Sequence, residues 1–443
     1  MLNAATSSAL TFSSAANFYR SPPSISIVFP KPKSLLSSYA RSSVLAVLDK
    51  ALTRGYMTIA DSQGVYHFGT RSKGCNEVYL TVTNPDFWSR ILLYVEAYMV
   101  GDVEVSSLKA MMDLWLDNES GMDGFSSTFS RVTSAISGLS NAFLGQTRSR
   151  ARLNAIASYD QSNELFKAFL SKEMMYSSAL WTDAEGGVRG DLIDGPFPGD
   201  LEAAQLRKIR HVLTNAKVKP GDRILEFGSG WGGLAIEAAR TFGCQVDTLT
   251  LSKEQKALAE ERIKAAGLQD RIRVHLMDYR EIPAEFEKAF DAFVSIEMLE
   301  HVGSKHYDTY FNLVDFALKS RNATAVVTAS TFPESRYSNY HLQTPAQKAD
   351  SLLKELRTTL RVRILSHNYP RTLREWGRRL EANIRQDLLV KDYPALKDVY
   401  EFETFKRKWQ YLFAYAGAGF AKGYITCHML TFTRPSDCPI ACD

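Results

Sequence analysis

The sequence predicts an α/β protein: a parallel-rich sheet with helices on both faces, preceded by a small α+β domain. Three observations predict it. From Lys217 onward, apolar strand-like runs alternate with helix-like runs at βαβ spacing. The stretch "EFGSGWGG" sets three glycines between the first of those runs and a helix-like pattern. The length of 443 residues exceeds what one hydrophobic core usually serves.

Residues 1–41 read as an arm. Up to residue 48 the chain holds Arg20, Lys31, Lys33 and Arg41, no acidic residue, much Ser and Ala, and four prolines. That composition suits either an organelle transit peptide or a disordered arm. Residues 42–118 form the small domain, expected to associate with lipid. "RSSVLAVLDKALTRG" reads as a helix ending at Gly55, and "YMTIAD", "GVYHFGT" and "EVYLTVTN" as short antiparallel strands. "PDFWSRILLYVEAYMVGD" reads as a second helix. Residues 119–155 read as a linker rich in Ser, Gly and Asn, with a basic patch at Arg148, Arg150 and Arg152. Residues 156–436 form the large domain, and 437–443 a tail. In the large domain "RILEFG", "QVDTLTLS", "RIRVHLMD", "FDAFVSIEM" and "ATAVVTAST" are the strands. The helices begin at Gly232, within "KEQKALAEERIKAAGL" and within "YDTYFNLVDFALKS". Such sheets bind ligands beyond the carboxyl ends of their strands.

The composition, 45% hydrophobic and 23% charged, is that of a globular protein. A net charge of +4 gives little support for a polyanionic partner, and no nucleic-acid role is expected. No run reaches the roughly 18 apolar residues that span a bilayer. Five scattered cysteines without a CxxC pair point to a reducing compartment, with neither a disulfide framework nor a metal site.

Glycines at Gly228, Gly230 and Gly232 let the backbone turn sharply and admit a ligand against the main chain. Dinucleotide and S-adenosylmethionine enzymes both use such turns. The GxGxG spacing, in place of GxGxxG, argues against a dinucleotide. So does Glu226, two residues before the first glycine, where a carboxylate can meet a ligand ammonium.

"LEFGSGWGGLAIEAA", "TLTLSKEQKALAEERI", "MDYRE" and "SIEMLEHVGSKHYDTYF" together resemble the cyclopropane-fatty-acyl-phospholipid synthase family, which includes the mycolic acid cyclopropane synthases. The resemblance runs from about Ser42 onward and looks closest to the fungal members. It implies a Rossmann-like S-adenosylmethionine methyltransferase domain acting on double bonds of unsaturated phospholipid acyl chains. It implies cofactor contacts at Gly228, Gly230 and Gly232, at Thr250 and Gln255, and at Asp278 and Tyr279 near the adenine. It also implies that Tyr159, Tyr176 and Ser177 close over the cofactor.

The family's reaction passes through a carbocation on the acyl chain, so its pocket needs aromatic faces, dryness and a base. Members use a bound bicarbonate as that base. The resemblance puts Glu300 and Tyr369 in its cage, with Ser178 where the family has Cys, and Thr328 where it has His or Gln. A further departure is the missing "FIxxYIFPGG" segment; "SNYHLQTPAQKADSLLKELRTTLRVRI" stands in its place. Four readings stay open: ring formation, methyl or methylene branching, an inactive relative that binds lipid or cofactor, and a methyltransferase for a small soluble acceptor. The expected location is cytoplasmic, peripheral to an anionic membrane, or mitochondrial or plastid through the arm. A homodimer is left open.

Overall fold

The structure, a computed structural model, describes residues 33–88, 90, 97–121, 161–303, 306–333, 359–434 and 437. Its contacts divide the chain into two units. One takes in Phe18–Gln146 and Arg385–Lys422; the other takes in Thr147–Ile384 and Gly423–Asp443. The sequence reading expects one unbroken large domain over 156–436. It is corrected here, because residues 385–422 group with the N-terminal unit.

The larger unit is built on a seven-stranded sheet, in the spatial order β10-β11-β9-β8-β5-β6-β7. Strand β5 (Arg223–Phe227) lies near the middle and is flanked in parallel by β6 (Gln245–Thr250) and β8 (Ala292–Ile296). Beyond them lie β7 (Ile272–Leu276) and β9 (Thr324–Thr331), also parallel. A sheet covered on both faces requires apolar strands, and Ile224, Leu225 and Phe227 are fully buried. The chain moves outward from β5 through β6 to β7, then returns to the other side with β8 and β9. That reversal leaves a crevice at the carboxyl ends of β5 and β8, where such folds bind ligands. Strands β10 (Thr359–Ile364) and β11 (Thr426–Thr433) complete the sheet as an antiparallel pair, with β11 between β9 and β10.

Five helices of this unit bear on the site: α3 (Asn163–Phe169), α4 (Asp200–Asn215), α5 (Gly233–Glu237), α6 (Lys253–Ala265) and α8 (Tyr369–Asn383). A sixth, α7 (Tyr307–Ala317), packs Tyr310 edge-on against Phe227 and Phe293 in the sheet core.

The N-terminal unit holds a four-stranded sheet, β2-β1-β3-β4, made of β1 (Tyr56–Asp61), β2 (Gly64–Gly69), β3 (Glu77–Val82) and β4 (Val103–Val105). The first hairpin is antiparallel as expected, but β3 runs parallel to β1. Helix α1 (Lys33–Ala51) supplies Val44 and Leu48 to the core. It ends four residues before Gly55, which holds a left-handed backbone (φ +87°) tight against Leu114 of α2 (Leu108–Asp117). Helix α9 (Val399–Ala421) belongs to this unit and packs on α2. The expected helix over residues 85–102 lies partly outside the described residues, as does nearly all of the linker with Arg148, Arg150 and Arg152.

Candidate active site

Strand β5 runs straight into the glycine turn. Gly228, Gly230 and Gly232 all take left-handed conformations, with φ of +95°, +49° and +80°. The amides of Gly228 and Ser229 both donate to Leu249 O of β6, at 3.0 and 2.9 Å, which pins the bend. A Cβ at Gly230 would meet no atom within 4 Å, so its backbone borders open space. Gly232 has a different role: a Cβ there would come within 3.3 Å of Ala259 on α6. It lets α5 and α6 approach each other and does not line the cleft, contrary to the sequence expectation.

A cleft opens at this turn. Tyr176, Ser177, Glu226, Gly228, Gly230, Thr250, Gln255, Asp278 and Tyr279 all line it, so the structure brings together nine of the expected positions. Tyr159 lies outside the described residues. Thr250 Oγ1 donates to Gln255 Oε1 at 2.7 Å, and Ser252 caps α6 beneath them. Asp278 forms a salt bridge with Arg280 and accepts from its backbone amide. Tyr279 packs against Phe227 and Tyr310. Glu226 is buried and accepts from Thr248 Oγ1 at 2.7 Å. Burial pushes its carboxyl up to about 8, against the pull of the Thr248 hydrogen bond and of Lys208.

Tyr176 stacks on Trp376 of α8 with centroids 5.2 Å apart and meets Phe166 edge-on. Phe166 in turn packs on Trp231, so one wall of the site is aromatic.

Past the end of β8 the cleft wall carries Glu297, a residue the sequence reading passed over. Its φ is +51°, a strained conformation for a side chain of this kind. Its amide donates to Thr328 O at 2.9 Å and to Thr328 Oγ1 at 3.1 Å, which fixes that turn to β9. Its carboxylate accepts from the Tyr369 hydroxyl and from the Ser178 amide, the latter at 3.1 Å. Cys427 Sγ of β11 stands 4.0 Å away. Both donors are held in place. Asn368, at the N-cap of α8, and Thr372 within it accept from the Trp181 and Ala179 amides, fixing residues 178–181 against the start of the helix that carries Tyr369. Burial raises the Glu297 pKa, and the neighbouring Glu300 raises it further.

The three residues expected to form the base cage fare differently. Tyr369 reaches the cluster. Ser178 reaches it through its amide only, because its hydroxyl donates to Ala179 O at 3.1 Å. Glu300 stays within electrostatic reach of Glu297 and Tyr369, but one of its oxygens accepts from the Ser330 amide and the other is buried without a hydrogen-bond partner. Thr328 spends its hydroxyl on the Glu297 backbone.

Lys208 also went unnoticed in sequence. It is buried on α4 and donates to Ser177 Oγ at 2.6 Å. Burial lowers its pKa, opposed by Glu297, Cys427 and Glu226 around it. The cation thus stands between the glycine-turn carboxylate and the Tyr369 cluster.

Residues 146–430 match the family described as mycolic acid cyclopropane synthetase. The chain belongs to that family. Among its relatives, tuberculostearic acid methyltransferase UfaA1 of Mycobacterium tuberculosis is 35% identical over 65% of this chain. The cyclopropane-fatty-acyl-phospholipid synthase of Escherichia coli is 34% identical over 57% of it. The matches span 66% and 60% of those relatives' own lengths. The solved cyclopropane synthase MmaA2 of Mycobacterium tuberculosis shares the fold at 22% identity, with a TM-score of 0.50 over 62% of this chain and 95% of that one. The large unit is therefore the Rossmann-like fold of S-adenosylmethionine methyltransferases.

Within this synthetase-family chain, Lys208 did carry a sequence signal. Leu201, Ala204, Gln205, Lys208, Ile209 and Val212 fall on one stripe of α4, so a lysine occupies a core-facing position. Glu297 carried none. "IEMLEH" holds two glutamates three apart, and which of them faces the cleft is decided by the left-handed backbone at the first.

Proposed function

We propose that this chain transfers a methyl group from S-adenosylmethionine to a cis double bond of an unsaturated phospholipid acyl chain and closes a cyclopropane ring. The observation that carries this reading is the shared wall: the carboxylate held by Tyr369 lines the same cleft as the glycine turn. A methyl donor and a proton acceptor then face one substrate space.

The cleft suits the donor. The backbone at Gly228 and Gly230 leaves room against the main chain, Glu226 offers a carboxylate to an ammonium, and the polar Thr250–Gln255 pair suits a ribose. Tyr279 and Asp278 border the place for an adenine. Bound there, S-adenosylmethionine supplies an electrophilic sulfonium methyl. The protein's own residues supply the rest. Tyr176 and its aromatic neighbours present ring faces that stabilise positive charge developing on an acyl chain. The buried walls keep out water that would trap a cation as an alcohol. The cluster beyond β8 takes the proton.

Methyl branching is the second reading, favoured by the 35% identity to a relative named for methylation in place of ring closure. Both start from the same carbocation. Loss of a proton from the new methyl with closure onto the cationic carbon gives the ring. A 1,2-hydride shift before that proton leaves gives a methylene branch, and loss of a chain proton gives a methyl-branched alkene. We also propose peripheral contact with anionic membranes through the basic residues Arg148, Arg150 and Arg152; no helix among the described residues is long and apolar enough to cross a bilayer.

Lipid mass spectrometry on a host that makes this protein tests the reading. A gain of one CH2 per unsaturated chain, in a product that survives mild hydrogenation, is the expected result. The same gain in a product that takes up hydrogen indicates a methylene branch or a methyl-branched alkene. No mass change in any unsaturated lipid overturns the proposal.

A further inference from the structure

We propose that Glu297 is the resident base of this enzyme, and that its side-chain carboxylate takes the place of the captured bicarbonate that the family resemblance implies. The inference rests on the reading of this cleft as a site of alkene methylation.

Bicarbonate does not fit the cage as it stands. An anion site needs free donors and no competing negative charge. The Tyr369 hydroxyl and the Ser178 amide both point to Glu297, and the Ser330 amide is spent on Glu300. Two of the positions that would enlarge the cage are also filled otherwise: Thr328 supports the Glu297 backbone, and the Ser178 hydroxyl bonds its own neighbour's carbonyl. A third anion would sit beside the carboxylates of Glu297 and Glu300, with Lys208 the cation at hand. Glu297, by contrast, has the geometry of a base. It lines the cleft, two donors orient it, and its turn is held at a strained φ by β9. Strain kept at such a point marks a position fixed for function.

The chemistry balances. The alkene π pair bonds to the sulfonium methyl, the C–S pair leaves with S-adenosylhomocysteine, and a carbocation remains on the adjacent chain carbon. The Glu297 carboxylate takes one proton from the new methyl group, and the freed C–H pair closes the ring onto the cationic carbon. One proton is later released to solvent, which restores the carboxylate.

The test titrates the full-length protein, bound to S-adenosylhomocysteine, with 13C-labelled bicarbonate, read by carbon NMR and calorimetry. The wild type is expected to show no saturable bicarbonate site. Glu297→Gly, which suits the left-handed backbone and removes the carboxylate, is expected to gain one. In turnover assays the wild type should keep its rate in CO2-depleted buffer. Glu297→Gly and Glu297→Gln should both fall by about 10²–10⁴-fold while still binding S-adenosylhomocysteine. Added bicarbonate should restore the glycine variant and not the glutamine variant, whose amide still fills the position. Saturable bicarbonate binding to the wild type overturns the inference, as does a wild-type rate that collapses without CO2 and returns with it. Full activity of Glu297→Gly without added bicarbonate overturns it too. If Glu297→Gly does not fold, the wild-type titration and Glu297→Gln decide. A folded wild type that modifies no unsaturated lipid overturns the functional reading and with it the role of Glu297 as a base, while the titration still decides whether its carboxylate fills the anion position.

Discussion

At Glu226 the protein holds a carboxyl where its charge is disfavoured, and a ligand ammonium would reverse that. With its pKa raised to about 8, the group is mostly protonated in the free protein at pH 7. Binding a cationic ligand beside it favours the carboxylate, so the complex should form with release of a proton. The sign follows: between pH 6 and 7.5 affinity for S-adenosylmethionine should rise with pH, since less proton must be expelled. Calorimetry in buffers of different ionisation enthalpy would read the proton directly. Glu226→Gln should abolish the release, flatten the pH dependence and weaken binding by roughly 10–100-fold, the size of a lost charged hydrogen bond. Gly230 gives a steric counterpart. Its left-handed φ and the open space beside it mean that Gly230→Val costs strain and fills the cleft. Loss of calorimetric binding with an unchanged circular dichroism spectrum is expected. How far such residues could be read in advance depended on what sets their direction. Glycines at alternate positions after an apolar strand announce a turn, and Glu226 precedes them at fixed spacing on that strand. Glu297 and Glu300 look equivalent in sequence, because the backbone conformation that separates them arises from β9, about thirty residues downstream.

The helix α8 shows the same division at the scale of an element. Its sequence, "YPRTLREWGRRLEAN", reads plainly as amphipathic, with Pro370 in its first turn. What its four arginines bind could not be read, since the partners lie nearly two hundred residues earlier. In the structure Asp191, with a fully buried side chain, meets Arg374 at 2.7 Å and Arg378 at 3.0 Å, while Arg371 pairs with Asp200 at 2.9 Å. Arg379 bridges Glu202 and Glu375. Burial alone would raise the Asp191 pKa, but the hydrogen bonds from Arg374 and Arg378 outweigh it and leave it lowered. A lowered carboxyl stabilises the fold above its unfolded pKa of about 4 and loses that contribution as pH falls through the folded value. Asp191→Asn leaves the guanidinium groups of Arg374 and Arg378 facing a neutral amide. Breaking a buried pair of this kind costs about 3–5 kcal/mol. Urea unfolding should therefore show a large loss at pH 7 that begins to shrink as the pH falls below about 4, where the wild type starts to lose the same contribution. A variant as stable as wild type at pH 7 would mean that the network is neutral in net effect. Because α8 also carries Tyr369, cofactor-independent unfolding and turnover should be measured on the same samples.

Across the whole molecule, the parallel strands β5 to β9 were legible because each is an apolar run followed by a helix, whereas the closing pair was not. β10 follows a segment without the family's motif, and β11 comes only after the chain has left the large unit at Ile384 and passed through residues 385–422 of the other unit. Local pattern cannot announce so distant a pairing. The consequence is that the large unit stays incomplete until the last strand is made. β11 lies inside the sheet, hydrogen-bonded along its length to β9 on one side and β10 on the other. Cys427, Met429, Leu430 and Phe432 are all buried. A chain ending at Lys422 would leave β9, buried at every position, with an unpaired edge and an uncovered core. Unpaired apolar edges template aggregation, and the loss of several buried side chains at roughly 2–5 kcal/mol each exceeds the whole stability of a typical domain. A chain ending at Arg434 keeps the strand and the Arg434–Asp315 ion pair beyond it. The first truncation should therefore be recovered only as aggregate, and the second should bind S-adenosylmethionine and unfold in a single cooperative transition. Soluble, cofactor-binding protein from the chain ending at Lys422 would show that β11 is dispensable to the sheet and that the active-site wall forms without Cys427.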